Sequence, residues 1–168
     1  MANSSTTTSN GESKDVATLP SDVAGEVTER LQDRLISMLD LQLTLKHVHW
    51  NVVGPNFISV HEMLDPQVDK VREMSDELAE RIATCGGVPA GTPGAVVSGR
   101  RWEDYSLDRA STEDHLVALD AVYAGIISDH RKAIGELESL DPVSQDLIIS
   151  HSAQLELFAW FIRSHLGR

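Results

Sequence analysis

Four long stretches of this chain repeat apolar residues at steps of three and four, and none alternates apolar with polar residues at the period of two that a half-buried strand requires. In the first stretch Val27, Leu31, Leu35, Met38, Leu41, Leu45 and Val48 fall on one stripe. They predict a helix from Val23 to Asn51, broken by Gly54-Pro55-Asn56. A second helix is expected from Ile58 to Cys85, stopping at Gly86-Gly87, a sequence suited to a helix C-terminus. Pro66 lies inside it. Proline removes a backbone N–H and clashes with the preceding turn, so a kink or a restart is expected there. The third helix opens with Ser111 as N-cap and Asp114 three residues on, a start resembling a capping box. Its buried stripe is Leu116, Leu119, Tyr123, Ile126, Ile127, Ile134 and Leu137. The fourth has Asp141 as N-cap and Pro142 at the first helical position, followed by Leu147, Ile148, His151, Leu155, Phe158, Phe161 and Ile162.

Helices of about 24 to 29 residues are some 36 to 43 Å long at 1.5 Å per residue, and four of them make an all-α bundle. The connections after the first and third helices are short. Residues 86–110, with Pro89, Pro93 and five glycines, form one long connection with room for a short helix near Pro93 to Ser98. This is the connectivity of a four-helix bundle with a single long crossover. Residues 1–22 are polar and of low complexity and are read as a disordered tail, leaving 23–168 as one bundle domain.

The function classes narrow by exclusion. No apolar run reaches the roughly 18 residues a membrane span needs. Met1 to Asn10 has neither a basic start nor an apolar stretch, so a secretory signal is not expected and the cytoplasm is the expected compartment. Cys85 is the one cysteine, which rules out an internal disulfide or a paired-cysteine metal site and reads as a small residue at a helix end. The formal net charge of −12 favours small cations as partners and opposes nucleic acid.

The second predicted helix carries the chemistry. His61 and Asp65 are four residues apart, and so are Asp76 and Glu80. At about 100° per residue, with His61 at zero, Asp65 falls near about 40°, Asp76 near about 60° and Glu80 near about 100°. All four share one wedge. Arg72 and Arg81 on the same helix offer ion pairs to these carboxylates, so a solvated acidic face is the competing reading. Asp65 and Asp76 are separated by roughly 16 Å along the axis, against metal–ligand bonds of about 2 Å, so the two pairs cannot close on one ion from one helix. They could meet if two such helices lay antiparallel about a twofold axis, each supplying one half of two identical sites. His49, at the end of the first helix, can join the His61 half. Imidazole and carboxylate together suit divalent iron, with zinc or manganese as competitors.

The segment His49-Trp50-Asn51-Val52-Val53-Gly54-Pro55-Asn56-Phe57, followed by His61-Glu62-Met63-Leu64-Asp65, resembles the signature of the Dps family of miniferritins, named as DNA-binding proteins from starved cells. Asp76-Glu77-Leu78-Ala79-Glu80-Arg81 resembles its second signature, and the similarity spreads from about Leu31 to Leu166. The resemblance implies a ferritin-like fold and a hollow dodecamer of 23 symmetry built from twofold dimers. It implies ferroxidase sites between subunits, hydrogen peroxide as preferred oxidant of Fe(II), and ferric mineral stored inside against oxidative damage. His49, His61 and Asp65 match one side of that iron site; Asp76 and Glu80 match the other. Trp50, beside a ligand, could donate an electron or trap a radical, against a plain role in interface packing. Asp141 and Asp146 resemble the acidic positions lining the family's threefold pores, through which iron enters; helix capping and dipole compensation compete for these two residues. One departure stands out. Lysine-rich tails carry DNA binding in many family members, whereas Met1 to Ser21 has only Lys14 among Glu12 and Asp15. DNA binding is therefore expected to be weak or absent, with nucleoid association left open beside the cytoplasm, and the rival reading is a DNA-compacting or structural protein with a secondary metal site. A rubrerythrin-like di-iron bundle needs Glu-x-x-His within one chain, which is absent.

Overall fold

The structure, a computed structural model, describes residues 19–167. The tail expected over residues 1–22 lies outside the described residues as far as residue 18. The elements in chain order are α1 (Ser21–Asn51), β1 (Val52–Val53), α2 (Phe57–Thr84), α3 (Pro93–Gly99), β2 (Ala110–Ser111), α4 (Thr112–Leu137) and α5 (Pro142–His165). Helices α1 and α2 form one hairpin and α4 and α5 a second, and the segment from Cys85 to Arg109 crosses between them. This is the ferritin-like bundle with its long crossover. The short helix expected near Pro93 is α3, capped by Thr92, whose hydroxyl accepts from the Ala95 amide at 3.3 Å.

The stripes read from the sequence meet in one core. Leu31, Met38, Leu45, Leu64, Met74, Leu78, Leu119, Tyr123, Leu137 and Ile148 are essentially inaccessible to solvent. Ile127, Ile134, Leu147 and Phe161 are half-buried at its margin rather than inside. Each such side chain contributes about 1.5–3 kcal/mol when fully buried, so packing rather than intrinsic propensity holds the long helices. No helix among the described residues is long and apolar enough to cross a membrane.

Three expectations need adjustment. The first helix begins at Ser21, two residues before Val23, because Leu19 packs on the core margin and Pro20 stands ahead of the first turn. The second helix does not restart at Pro66 but runs through it. Pro66 and Glu62, whose carbonyl loses its amide partner, are both exposed, so water can satisfy that carbonyl. Finally, a parallel two-stranded ladder joins Val52 to Ala110 and Val53 to Ser111. Strands of two residues leave no alternation to detect, yet this ladder ties the end of the crossover to the α1–α2 turn. Thr112 Oγ1 reinforces it by donating to the Pro55 carbonyl at 2.9 Å. The turn needs left-handed backbone at Gly54 (φ 101°) and Asn56 (φ 62°), residue types that adopt it readily.

At the far end of α2, Gly86 has φ 85°, and the Gly87 amide donates to the Ile82 carbonyl at 2.9 Å. A β-carbon on Gly87 would sit 2.8 Å from Thr28 Cγ2 and 2.9 Å from Ile82 Cγ2, so glycine is required for the close approach to α1. Cys85 beside it is buried.

Candidate metal centre

The α1–α2 turn brings the first three candidate ligands together. The His49 and His61 rings stack with centroids 3.6 Å apart and planes 23° apart, and Phe57 lies 4.9 Å beyond His61. His49 Nδ1 donates to the His61 carbonyl at 3.0 Å, and His61 Nδ1 donates to the His49 carbonyl at 2.8 Å. A carbonyl oxygen can only accept, so both rings carry their proton on Nδ1. Each Nε2 is thereby left as a bare lone pair, the state a metal ligand needs, with the opposite nitrogen anchored.

Asp65 flanks this corner on the anchored side of His49. Its Oδ1 is 3.3 Å from His49 Nδ1 and accepts from Lys46 Nζ at 3.0 Å. The hydrogen bond from Lys46 holds the Asp65 carboxyl below the usual range. The carboxylate is half exposed. The sequence pattern did not single out Lys46, and Phe57 entered only as part of the motif. The spacing of three between Lys46 and His49 signals a shared face of α1, but not which carboxylate lies across from it.

Asp76 and Glu80 are placed differently. Both are exposed on α2, more than two turns beyond Asp65, and neither makes a hydrogen bond or ion pair with another described residue. The ion pairs expected to compete for this face do not form along α2. Arg81 instead crosses to Asp141 at 2.6 Å and Ser144 at 2.9 Å, and Glu77 meets His151 at 2.6 Å. Asp76 lines a cavity of about 720 Å³ with Leu35, Leu39, Gln42, Arg72 and Ala79, on the flank of the α1–α2 hairpin. Among the described residues of one chain, no three histidine, cysteine or carboxylate side chains converge closely enough to hold a metal ion.

Trp50 projects from the end of α1 with 71% of its surface exposed, and Lys46 Nζ lies 5.9 Å from its ring centre. Asp141 is 3% exposed and fully occupied. It caps α5 by accepting from the Val143 and Ser144 amides, and it also binds the Ser144 hydroxyl and Arg81. Burial alone would raise its pKa; the Ser144 hydroxyl and Arg81 bonds overcome this and hold it low. Within the chain Asp141 therefore serves the helix start, while Asp146 is exposed on the next turn.

A bundle of two helical hairpins joined by one long crossover has the ferritin-like topology. The family model described as a ferritin-like domain matches residues 28–168. The chain is 60% identical over 143 residues to the DNA protection during starvation protein of Mycolicibacterium smegmatis, covering 85% of this chain and 78% of that protein. It superposes on the tetragonal form of Mycobacterium smegmatis Dps with a TM-score of 0.88 at 58% identity, covering 89% of this chain and 90% of that one. DpsA14 from Streptomyces coelicolor matches with a TM-score of 0.88 at 54% identity over 90% of both chains. The chain belongs to the Dps family of ferritin-like proteins.

Proposed function

We propose that this protein is a ferroxidase that oxidises Fe(II) with hydrogen peroxide at sites shared between two copies of the chain and stores the ferric product inside a hollow dodecamer of 23 symmetry. The observation that carries this reading is the pair of imidazoles held by each other's backbone carbonyls with both Nε2 atoms free. Asp65 stands beside them, and the unpartnered carboxylates Asp76 and Glu80 lie too far along α2 to join the same ion. A second copy about a twofold axis supplies them.

In this reading Fe(II) is the substrate. Asp65, Asp76 and Glu80 bind it as anionic oxygens, and His49 and His61 bind through Nε2. Two Fe(II), one hydrogen peroxide and two protons give two Fe(III) and two waters, with no hydroxyl radical released. The net charge of −12 on each chain concentrates cations at the assembly. Trp50, next to His49 and largely exposed, fits packing against the second copy and is placed to give up an electron if the oxidant strays. Asp146 is the better candidate for an acidic lining of an iron pathway, since Asp141 is engaged.

Replacing both Asp76 and Glu80 by alanine tests the reading. Peroxide-dependent iron oxidation should fall by at least about tenfold, while folding is unaffected because both residues are exposed and unpaired. Full retention of activity overturns it.

The Mycolicibacterium smegmatis relative is named for DNA protection during starvation. For this chain we propose protection through iron and peroxide removal in the cytoplasm rather than through DNA binding. The basic residues that would neutralise phosphate are outnumbered, 14 against 26 acidic ones. Retention of duplex DNA in a gel shift at about 150 mM salt would favour the DNA-compacting alternative.

A further inference from the structure

Behind the metal corner, on the crossover side of α1, lies a tyrosine–histidine pair that the proposed chemistry does not use. Tyr105 Oη is 2.9 Å from His115 Nδ1, and the two rings are nearly parallel, with planes 6° apart. His115 is completely buried, and its Nε2 has no hydrogen-bond partner of good geometry. Burial lowers the His115 pKa, and the backbone carbonyls of Asn51 and Asp108 oppose this without overcoming it. With Tyr105 Oη in contact with Nδ1, the tautomer able to take the phenol proton is the one that carries its own proton on Nε2. Nδ1 is then the acceptor, and the Tyr105 hydroxyl donates to it.

The pair is anchored to the metal corner. Asn51 ends α1 two residues after His49, and the Val52–Ala110 pairing clamps this end of α1 to the segment that carries Asp108. The His47 ring meets Tyr105 edge-on with centroids 5.9 Å apart, while its Nε2 donates to the Leu107 carbonyl at 2.8 Å. His47 and His49 are separated by about 3 Å of helix rise. Burial raises the Tyr105 phenol pKa well above its ordinary value, so the phenol is protonated at every working pH. Oxidation of such a phenol is favourable only if the proton leaves with the electron, and here an acceptor is already in contact with it.

We propose that Tyr105 is a one-electron donor to the metal site, with His115 taking the phenol proton at Nδ1. This rests on the ferroxidase reading. When peroxide meets a site holding a single Fe(II), the iron supplies one of the two electrons that peroxide needs. Tyr105 supplies the other. Fe(II), hydrogen peroxide, the phenol and neutral His115 become Fe(III), two hydroxide ions, a tyrosyl radical and an imidazolium. The O–O bond breaks, the phenol O–H bond breaks and the Nδ1–H bond forms. The Asn51 and Asp108 carbonyls partly offset the cost that burial places on the imidazolium. The gain is that no hydroxyl radical is set free from a half-filled site.

The test is electron paramagnetic resonance on the full-length protein given less than one Fe(II) per site and then peroxide. The chain has two tyrosines, which makes assignment direct. Tyr123 is fully buried and donates to Gln67 Oε1 at 2.6 Å, an acceptor that cannot take a proton. A tyrosyl signal should appear in the wild type and in Tyr123→Phe and vanish in Tyr105→Phe. In His115→Gln its yield should fall several-fold and its line shape change, and in heavy water it should form more slowly. A signal that survives Tyr105→Phe, or a tryptophanyl signal alone, overturns the inference, as does iron oxidation by the wild type with no tyrosyl signal. A second arm uses iron-free protein and hexachloroiridate as a one-electron oxidant. If iron is not oxidised at all, the ferroxidase reading falls by itself. The iridate arm then decides whether the pair is redox-active, and absence of a Tyr105 radical there overturns the inference.

Discussion

The two halves of the candidate site differ in how finished they are. At the α1–α2 turn, His49, His61 and Asp65 are held by backbone carbonyls, ring stacking and Lys46. Further along α2, Asp76 and Glu80 are exposed and touch no charged partner. The first half is fixed by its own chain, so it has paid its ordering entropy before a metal arrives. The second is left open on the surface, as a group must be if it is to be completed by something outside the chain. The contrast teaches where assembly enters the chemistry: it brings bare carboxylates to a corner that already exists.

The sharpest way to break that contrast is complementation. One chain carries His61→Ala with Asp65→Ala and the other Asp76→Ala with Glu80→Ala. Each alone should be nearly inactive. Refolded together at equal amounts, about half the dimers are mixed and each mixed dimer regains one intact site, so about a quarter of wild-type peroxide-dependent oxidation should return. No recovery would place all the ligands within one chain.

The next largest effect is on stability, at the opposite end of α2. Arg81 could have served the acidic face but is spent on Asp141, whose side chain is 4% exposed. Arg81→Met should cost about 3 kcal/mol in urea unfolding, because it leaves a buried carboxylate unpaired. A loss no larger than that of an exposed substitution would mean the pair is not needed to hold the start of α5.

A smaller, graded effect should follow pH. His130 is buried with its pKa lowered to about 3 by burial and by nearby Arg34. His151 is lowered too, chiefly by burial, although Glu77 pulls it up and Lys70 pushes it down. Both are neutral in the fold and protonate near 6.5 when unfolded, so the unfolded state binds more protons in acid. Their contribution is complete above about pH 6.5 and is lost in acid, for His130 as pH falls toward 3, by at most about 1.4 kcal/mol per unit for each group. Urea midpoints measured between neutral and mildly acidic pH should decline, and His130→Leu should flatten the decline. A rise in stability on acidification would contradict this.

The smallest expected change sharpens the comparison from the finished side. Lys46→Gln removes the hydrogen bond that most lowers the Asp65 pKa, so that carboxyl should titrate higher by NMR in metal-free protein. Divalent metal should bind a few-fold tighter, because an ammonium no longer occupies Oδ1. Weaker binding would mean that Lys46 orients Asp65 rather than competing for it.

Much of the molecule was legible along the chain because helical burial is a local, periodic property. The stripes from Val27 to Val48 and from Leu116 to Leu137, the Ser111 and Asp141 caps and the short helix at Pro93 all needed only neighbouring residues. The ligand types and their four-residue spacing came from the same arithmetic. Partner choice did not. The sequence allowed Arg81 to pair along α2, and only the packing of α5 against α2 directed it to Asp141. The sequence held His47, His49 and His61, and only the tight α1–α2 turn decided that two of them lock each other's protons while the third faces Leu107. The two-residue ladder at Val52 and Ala110, and with it the meeting of Tyr105 and His115, depends on residues more than fifty apart. What the sequence determined by itself is the set of helices and the chemistry of their side chains. Which nitrogen is free, which carboxylate is spent and which stays open were decided by tertiary structure, because hydrogen bonds and ion pairs are won by whatever the fold brings within about 3 Å.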